Sequence, residues 1–434
     1  MYNVDWAAIR GGGRSLATAA SITPRLVQPA AHRSRRVHPI VWALGFTSLF
    51  TDIASEMVSS ILPMYLVLHL RISPAAYGVI DGVYQGGAVL VRLAAGLIGD
   101  RWRCHKAVAG IGYLISAVSR LALLVAGNAW MAIAGAVAAD RVGKGIRTAP
   151  RDAMITLNTP PGDLGMAFGV HRALDACGAM IGPLAAFLVL ALVPDGFDLV
   201  FVISLCVALI GVAILVLFVD DRQAPAAGKA VTRQSAHAIA GLLRAPGFRS
   251  IAIASAALSV ATVSDAFLFL ALQEQLEFSP GLFPLLFVAI SLVSFACSAP
   301  FGRWADRFGR ARTFVAGHAL LLGAYAAVLV PGGMVRLAAA LVLLGAYYAA
   351  TDGVLAALTS SALPLELAGT GLAVTGTIVN TGRLVGALLF GALWTWSSVQ
   401  SAAGVFTAAL MLSIGMAVLA LGRSTPPRGP VPVG

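Results

Sequence analysis

The chain has 434 residues, of which 59% are apolar and only 11% charged, with a mean hydropathy of +0.86; a soluble domain carries roughly 25% charged residues. So apolar a sequence cannot close into a water-exposed globule, because a soluble surface has to be built from polar side chains. The net charge of +11 would suit nucleic acid, but the basic residues sit in alternate connections between apolar runs, so their placement reports topology instead.

Residues 1–38 are rich in Arg, Ala and Ser with one acidic residue, Asp5, and no apolar core, and read as a cytoplasmic tail. Twelve apolar runs follow, near 40–65, 76–98, 106–127, 129–151, 165–192, 198–219, 249–272, 282–301, 312–331, 335–359, 369–394 and 401–421. Each is about 20 residues long, enough to cross a hydrocarbon core of roughly 30 Å as a helix. The polar stretch 220–248, with Asp220, Asp221, Pro225, Gly228 and Pro246, separates two sets of six. The expected organisation is therefore a bundle over 39–219, a cytoplasmic linker, a second bundle over 249–422, and a short tail over 423–434. Basic residues precede span one (Arg33, Arg35, Arg36) and fill the turns after spans two (Arg103, Lys106) and eight (Arg303, Arg312). The opposite connections hold Asp195, Asp198, Glu274 and Glu277, which places both termini in the cytoplasm.

Span one carries Asp52 and Glu56, four residues apart and so on one helix face. Two carboxylates in one apolar span repel one another and lose hydration, an arrangement suited to taking up and releasing a proton. The turn after span two contains Gly96, Asp100 and Arg101; that after span eight contains Gly302, Asp306, Arg307, Gly309 and Arg310 at the same offset. Ser73-Pro74 and Ser279-Pro280 repeat at that offset too, so the second half of the chain is a copy of the first. A small residue here lets two helices approach, and the Asp can accept hydrogen bonds from helix N-terminal amides and nearby Arg, latching one conformation. Span four contains Asp140, Arg141, Lys144, Gly145, Arg147, Arg151 and Asp152. An Arg at mid-membrane costs on the order of 3 kcal/mol, so Arg141 should face a partner such as Asp140 or Asp175, or a watered cavity. Span five holds Gly169, Gly178, Gly182 and Pro183, a flattened packing face with a kink, while span eleven has Gly382 and Gly386 but Ala387 where the Pro would be. The remaining intramembrane charges are His171, Arg172, Asp265, Asp352 and Arg383, with Asp81 and Arg92 nearer the helix ends or the seam between helices.

The Gly302–Arg312 turn resembles the G-x-x-x-D-R-x-G-R-[RK] signature of the major facilitator superfamily, and the first copy keeps its Gly and Asp-Arg but has Arg103 and Cys104 in place of the next Gly and Arg. Gly169 to Pro183 is similar to the glycine pattern of that superfamily's exporter branch, and Arg141-x-x-Lys144-Gly145 to its span-four R-x-x-Q-G with Lys for Gln. The segments around Asp52 and Lys144 look like a bacterial efflux-permease subgroup. The resemblance implies an all-α fold of twelve membrane helices in two pseudo-symmetric six-helix bundles with a solute site between them near the midplane. It also implies a multi-pass bacterial inner-membrane location and a cavity lined by spans one, four, seven and ten. That favours Asp52, Glu56, Arg141, Asp265 and Asp352, with Asp175 as a further partner, for proton coupling. The expected activity is export of a small organic solute in exchange for protons; the rival is proton-coupled uptake of a siderophore, peptide or organic anion. Neither nucleotide motif nor clustered Cys or His is present, so no cofactor or metal is expected, nor catalysis: His171 and Asp175 alone make a poor active site. The partners expected are the solute, protons and lipid, with the chain acting as a monomer.

Overall fold

The structure, a computed structural model, describes residues 37–88, 91, 104–160, 163–220 and 241–422. The two tails, most of the linker, and the first copy of the repeated turn with Gly96, Asp100 and Arg101 lie outside the described residues. In chain order the helices are α1 (Pro39–Pro63), α2 (Pro74–Gly86), α3 (His105–Ala126), α4 (Trp130–Leu157), α5 (Leu164–Leu192), α6 (Phe197–Phe218), α7 (Pro246–Val260), α8 (Asp265–Leu276), α9 (Phe283–Phe308), α10 (Arg310–Leu329), α11 (Met334–Ser361), α12 (Leu365–Trp396) and α13 (Val399–Gly422). Nine spans among the described residues are long and apolar enough to cross a membrane, α7 and α8 counting as one. Helices α1 and α4 have the length, 25 and 28 residues, but Asp52 and Glu56 in α1 and a run of charges from Asp140 to Asp152 in α4 make them less apolar. The second bundle begins at Pro246, three residues before the expected boundary.

Several helix ends follow directly from the sequence. His38 accepts from the Ile40 amide with Pro39 at the first helical position, and Ser73 caps Ala76 ahead of Pro74. The duplicated Ser279-Pro280 behaves differently: Pro280 opens a single 3₁₀ turn over Pro280–Leu282, and Ser279 makes no side-chain cap. At Gly309, φ is +105°, a value that favours glycine, and this one residue separates α9 from α10.

The two halves pack by the same scheme. Helix α1 lies against α5 and α6, α3 against α4 and α6, and α2 against α4; in the second half α7 lies against α12 and α13, α10 against α11 and α13, and α9 against α11. The main contacts between halves are α2 with α12 and α5 with α9, a symmetric pair of contacts because α12 is the counterpart of α5 and α9 that of α2. The α2–α12 contact is glycine against backbone: a Cβ on Gly78 would lie 2.6 Å from the Ala387 carbonyl oxygen, and one on Gly391 would strike that of Pro74. Leu188, Leu192, Leu217, Phe218, Phe295 and Leu412 are exposed, an apolar belt facing where hydrocarbon would be.

Span seven is interrupted. Helix α7 stops at Val260 and α8 starts at Asp265, leaving residues 261–264 irregular at membrane depth. Backbone groups there need internal partners, since lipid offers none. Tyr325 of α10 supplies them: the Val263 amide donates to its hydroxyl at 2.6 Å, and that hydroxyl donates to the Ala261 carbonyl at 2.9 Å. Ser264 then caps α8 by accepting from Phe267.

A carboxylate-lined cavity between the halves

The glycine face of α5 brings α1 close. A Cβ on Gly178 would stand 2.8 Å from the Leu49 carbonyl oxygen, and one on Gly182 would stand 2.6 Å from that of Ile53, beside Asp52 and Glu56 respectively. Gly169, the first glycine of the motif, has nothing within 4 Å of such a position, so only the later two serve close packing.

Several intramembrane charges of the first half are paired with one another among the described residues. Asp140 accepts from Arg120 of α3 at 3.5 Å and from its neighbour Arg141. Arg120, fully enclosed, also donates to Ser204 at 2.9 Å and Ser55 at 2.8 Å, tying α3 to α6 and α1. Asp52 pairs with Arg147 at 3.2 Å, and the Arg147 guanidinium stands 4.8 Å over the Tyr113 ring. Arg151 contacts Asp152 at 2.9 Å and Asp175 at 3.8 Å, while His171 lies 3.3 Å from Asp175. Arg141 is thus held by Asp140, one of its two expected partners, and Arg147 takes Asp52. Residue 147, roughly one and two-thirds turns beyond 141, is the one that lies opposite Asp52.

Glu56 stands apart from this network; its carboxylate accepts from Ser59 at 2.7 Å. It faces a cavity of about 230 Å³ between the halves, which Asp81 of α2 and Asp265 at the start of α8 also line. Tyr77, Tyr84, Gln85, Ser264, Phe287 and Tyr348 complete the polar and aromatic wall, and among its described lining residues no Lys or Arg appears. The Tyr348 hydroxyl is 3.0 Å from both Asp265 oxygens. Asp81 is 6% exposed, within reach of Ser264 and Gln85, and its Oδ2 has no hydrogen-bond partner. Two cations lie just behind this wall. Arg141 is 4.1 Å over the Tyr84 ring, in the small pocket shared with Arg120 and Asp140. Arg383 is 5.9 Å from the Tyr348 ring, in a separate pocket with Asp352 and His318.

A second, wider space of about 500 Å³ runs along α9 and α11 past Asp352 to Gly302, Asp306 and Arg310. At its end, across the Gly309 break, Arg310 reaches Asp306 at 3.5 Å and the Ala357 carbonyl of α11 at 3.1 Å. Gly302 has open space around it, and among the described residues no ion pair engages Arg307, so the second turn is anchored by Asp306 and Arg310. Of the expected residues, Glu56 and Asp265 share the central cavity, Asp352 lines the wider space, and Asp52, Arg141 and Asp175 are committed to ion pairs in the first half. Asp81 and Arg120 carry more than the sequence reading gave them. Glycines at 78, 82 and 86 mark α2 as a close-packed helix, and an intramembrane Arg at 120 is itself a signal for a buried partner.

Two repeated helix bundles, apolar outside and enclosing a polar cavity at their junction, define a multi-pass membrane protein built to hold a small solute. Residues 44–386 and 250–433 match the sequence model of the Major Facilitator Superfamily, and the chain belongs to that family. It is 29% identical over 380 residues to an uncharacterised MFS-type transporter of Methanocaldococcus jannaschii, covering 85% of this chain and 92% of that one. The fold is similar to that of the nucleoside transporter NupG, with a TM-score of 0.70 and 14% identity over 88% of this chain and 98% of the other. It is similar also to a POT family transporter solved with a thioalcohol-conjugated peptide, with a TM-score of 0.71 and 12% identity over 88% and 96%. The protein is a transporter of this superfamily.

Proposed function

We propose that the chain exports a small organic solute from a bacterial cytoplasm in exchange for protons, by alternating access to the cavity between its halves. The observation that carries this reading is the set of three carboxylates, Glu56, Asp81 and Asp265, facing one cavity from both halves with no basic residue among its described lining. Solute and protons would compete for the same groups, which is the chemistry an exchanger needs. Glu56, Asp81 and Asp265 are the coupling residues in this reading; Asp52 and Asp175, held by arginines, keep the first half rigid. The pressing of Gly178 and Gly182 onto α1 beside Asp52 and Glu56 supports the outward direction, because it couples the exporter-like motif to the carboxylates. With the termini in the cytoplasm, the tight α2–α12 contact closes the outer side and the Asp306 end opens inward. A proton moving down a 100 mV potential supplies roughly 2.3 kcal/mol.

The test is a solute panel on inside-out vesicles energised to an acidic lumen. Solute-dependent loss of lumenal acid, abolished by E56Q or D265N, is the expected result. Solute-dependent acid loss that survives both substitutions would remove these residues from coupling, and solute uptake that dissipates no proton gradient would remove exchange.

A further inference from the structure

We infer that the solute class of the central cavity is a small organic cation, an ammonium group on an aryl or alkyl body. This deepens the exchange reading but rests only on its choice of cavity, not on its direction.

Three elements each contribute one carboxylate: Glu56 from α1, Asp81 from α2 and Asp265 from α8. A cluster of acids alone would say little. Here, however, Asp81 lines the cavity, is more than nine-tenths buried, and carries one carboxylate oxygen, Oδ2, with no hydrogen-bond partner among the described residues. A buried carboxylate oxygen without a donor is costly, and only a proton, an N–H donor or a cation relieves it. Ser59 and Tyr348 already serve Glu56 and Asp265, and Ser264 and Gln85 reach Asp81 but leave its Oδ2 unserved, which is where the demand lies.

The walls decide what kind of cation. Tyr84, Phe287 and Tyr348 offer ring surface, which attracts a cation within about 6 Å of a ring centroid. Leu62, Pro63 and Ile80 add apolar surface that an inorganic ion could not use. Among the described residues no three His, Cys, Asp or Glu side chains gather closely enough to hold a metal. An anionic solute fares worse, since the nearest guanidiniums, Arg141 and Arg383, lie in pockets behind Tyr84 and Tyr348. The arrangement therefore separates charge: cations are stored behind aromatic rings, and carboxylates face the void. When the ammonium leaves, protons take its place on the carboxylates. Besides the three carboxylates, the ionisable groups that bear on this exchange are Tyr77 and Tyr84 on α2, Tyr348 and Asp352 on α11, Arg141 on α4 and Arg383 on α12.

The experiment is calorimetric titration of the purified full chain in detergent with benzyltrimethylammonium, benzoate and benzyl alcohol, which differ mainly in charge. The expected result is binding of benzyltrimethylammonium alone, about 10-fold weaker when the pH drops from about 8 to about 5, as protons fill the carboxylates. D81N and D265N should each weaken it about 10-fold or more, while E274Q, which removes an exposed carboxylate outside the cavity, should leave it unchanged. Should D81N fail to give a monodisperse protein, E56Q takes its place beside D265N. Preference for benzoate, no heat with benzyltrimethylammonium, or ammonium binding indifferent to both substitutions would each overturn the assignment. Carboxylate-dependent ammonium binding without proton movement in vesicles would sink the exchange reading alone; proton exchange driven by another solute, with no ammonium binding, would sink only this one.

Discussion

The two halves share a packing scheme and spend their charges in opposite ways. In the first, Arg120, Arg141, Arg147 and Arg151 are each matched to an Asp on α1, α4 or α5, so three or four helices are bound into one block. In the second, Asp265 is held by a tyrosine, Asp352 faces open space, and Arg383 has an aromatic ring in place of a close carboxylate. Duplication preserves architecture, while one copy pairs its buried arginines with carboxylates and the other leaves Arg383 against an aromatic ring.

The sharpest way to break this contrast is to remove one acid from each half. Asp140→Ala leaves Arg120 and Arg141 buried without their carboxylate and should cost about 3–5 kcal/mol, seen as loss of a monodisperse peak or a large drop in unfolding midpoint. Asp265→Asn should keep the unfolding midpoint within the small range of a neutral change, about 0.5 kcal/mol, while transport is lost. Equal destabilisation by both would show that the halves do not differ in this way. Next comes Tyr325→Phe, which orphans the Val263 amide and the Ala261 carbonyl at the span-seven break; about 1–3 kcal/mol should disappear, with faster hydrogen exchange confined to residues near the break. Gly182→Ala, forced against the Ile53 carbonyl, should cost about 1–3 kcal/mol by thermal unfolding, whereas Gly169→Ala should be neutral within about 0.5 kcal/mol. The smallest effect belongs to Asp306→Asn. That pair is exposed and spans 3.5 Å, so at most about 1 kcal/mol of stability is involved, and the change should appear in transport rate rather than in the unfolding midpoint.

The spans themselves were legible because hydropathy measures what a bilayer demands. The expected run at 165–192 is observed as Leu164–Leu192, and that at 198–219 as Phe197–Phe218. The break in span seven was not, since Ala-Thr-Val-Ser holds neither Gly nor Pro, and the side chain that makes the break tolerable comes from 62 residues away. Pairing was only half legible. That Arg141 needed an acid followed from the cost of burying it, and Asp140 was one of the two candidates; the choice between them was not legible, since neighbours in sequence do not share a helix face and only the length of the Arg side chain lets it fold back on Asp140. Asp81 was misplaced for a related reason: a residue on a packed seam between helices reads as structural until the second half of the chain is seen to leave a void beside it.

The bare contact of Gly78 and Gly391 has a consequence for how the outer side would part. Two backbones touching without interposed side chains have no rotamers to freeze on closing or free on opening, so side-chain entropy hardly enters. What remains is dispersion, which forfeits roughly a quarter to a half of its attraction once a gap of about 0.5–1 Å appears. Such a joint is short-ranged: it weakens steeply with the first fraction of an ångström and has no side chains to follow the movement, which favours a closed and a parted position over intermediate ones.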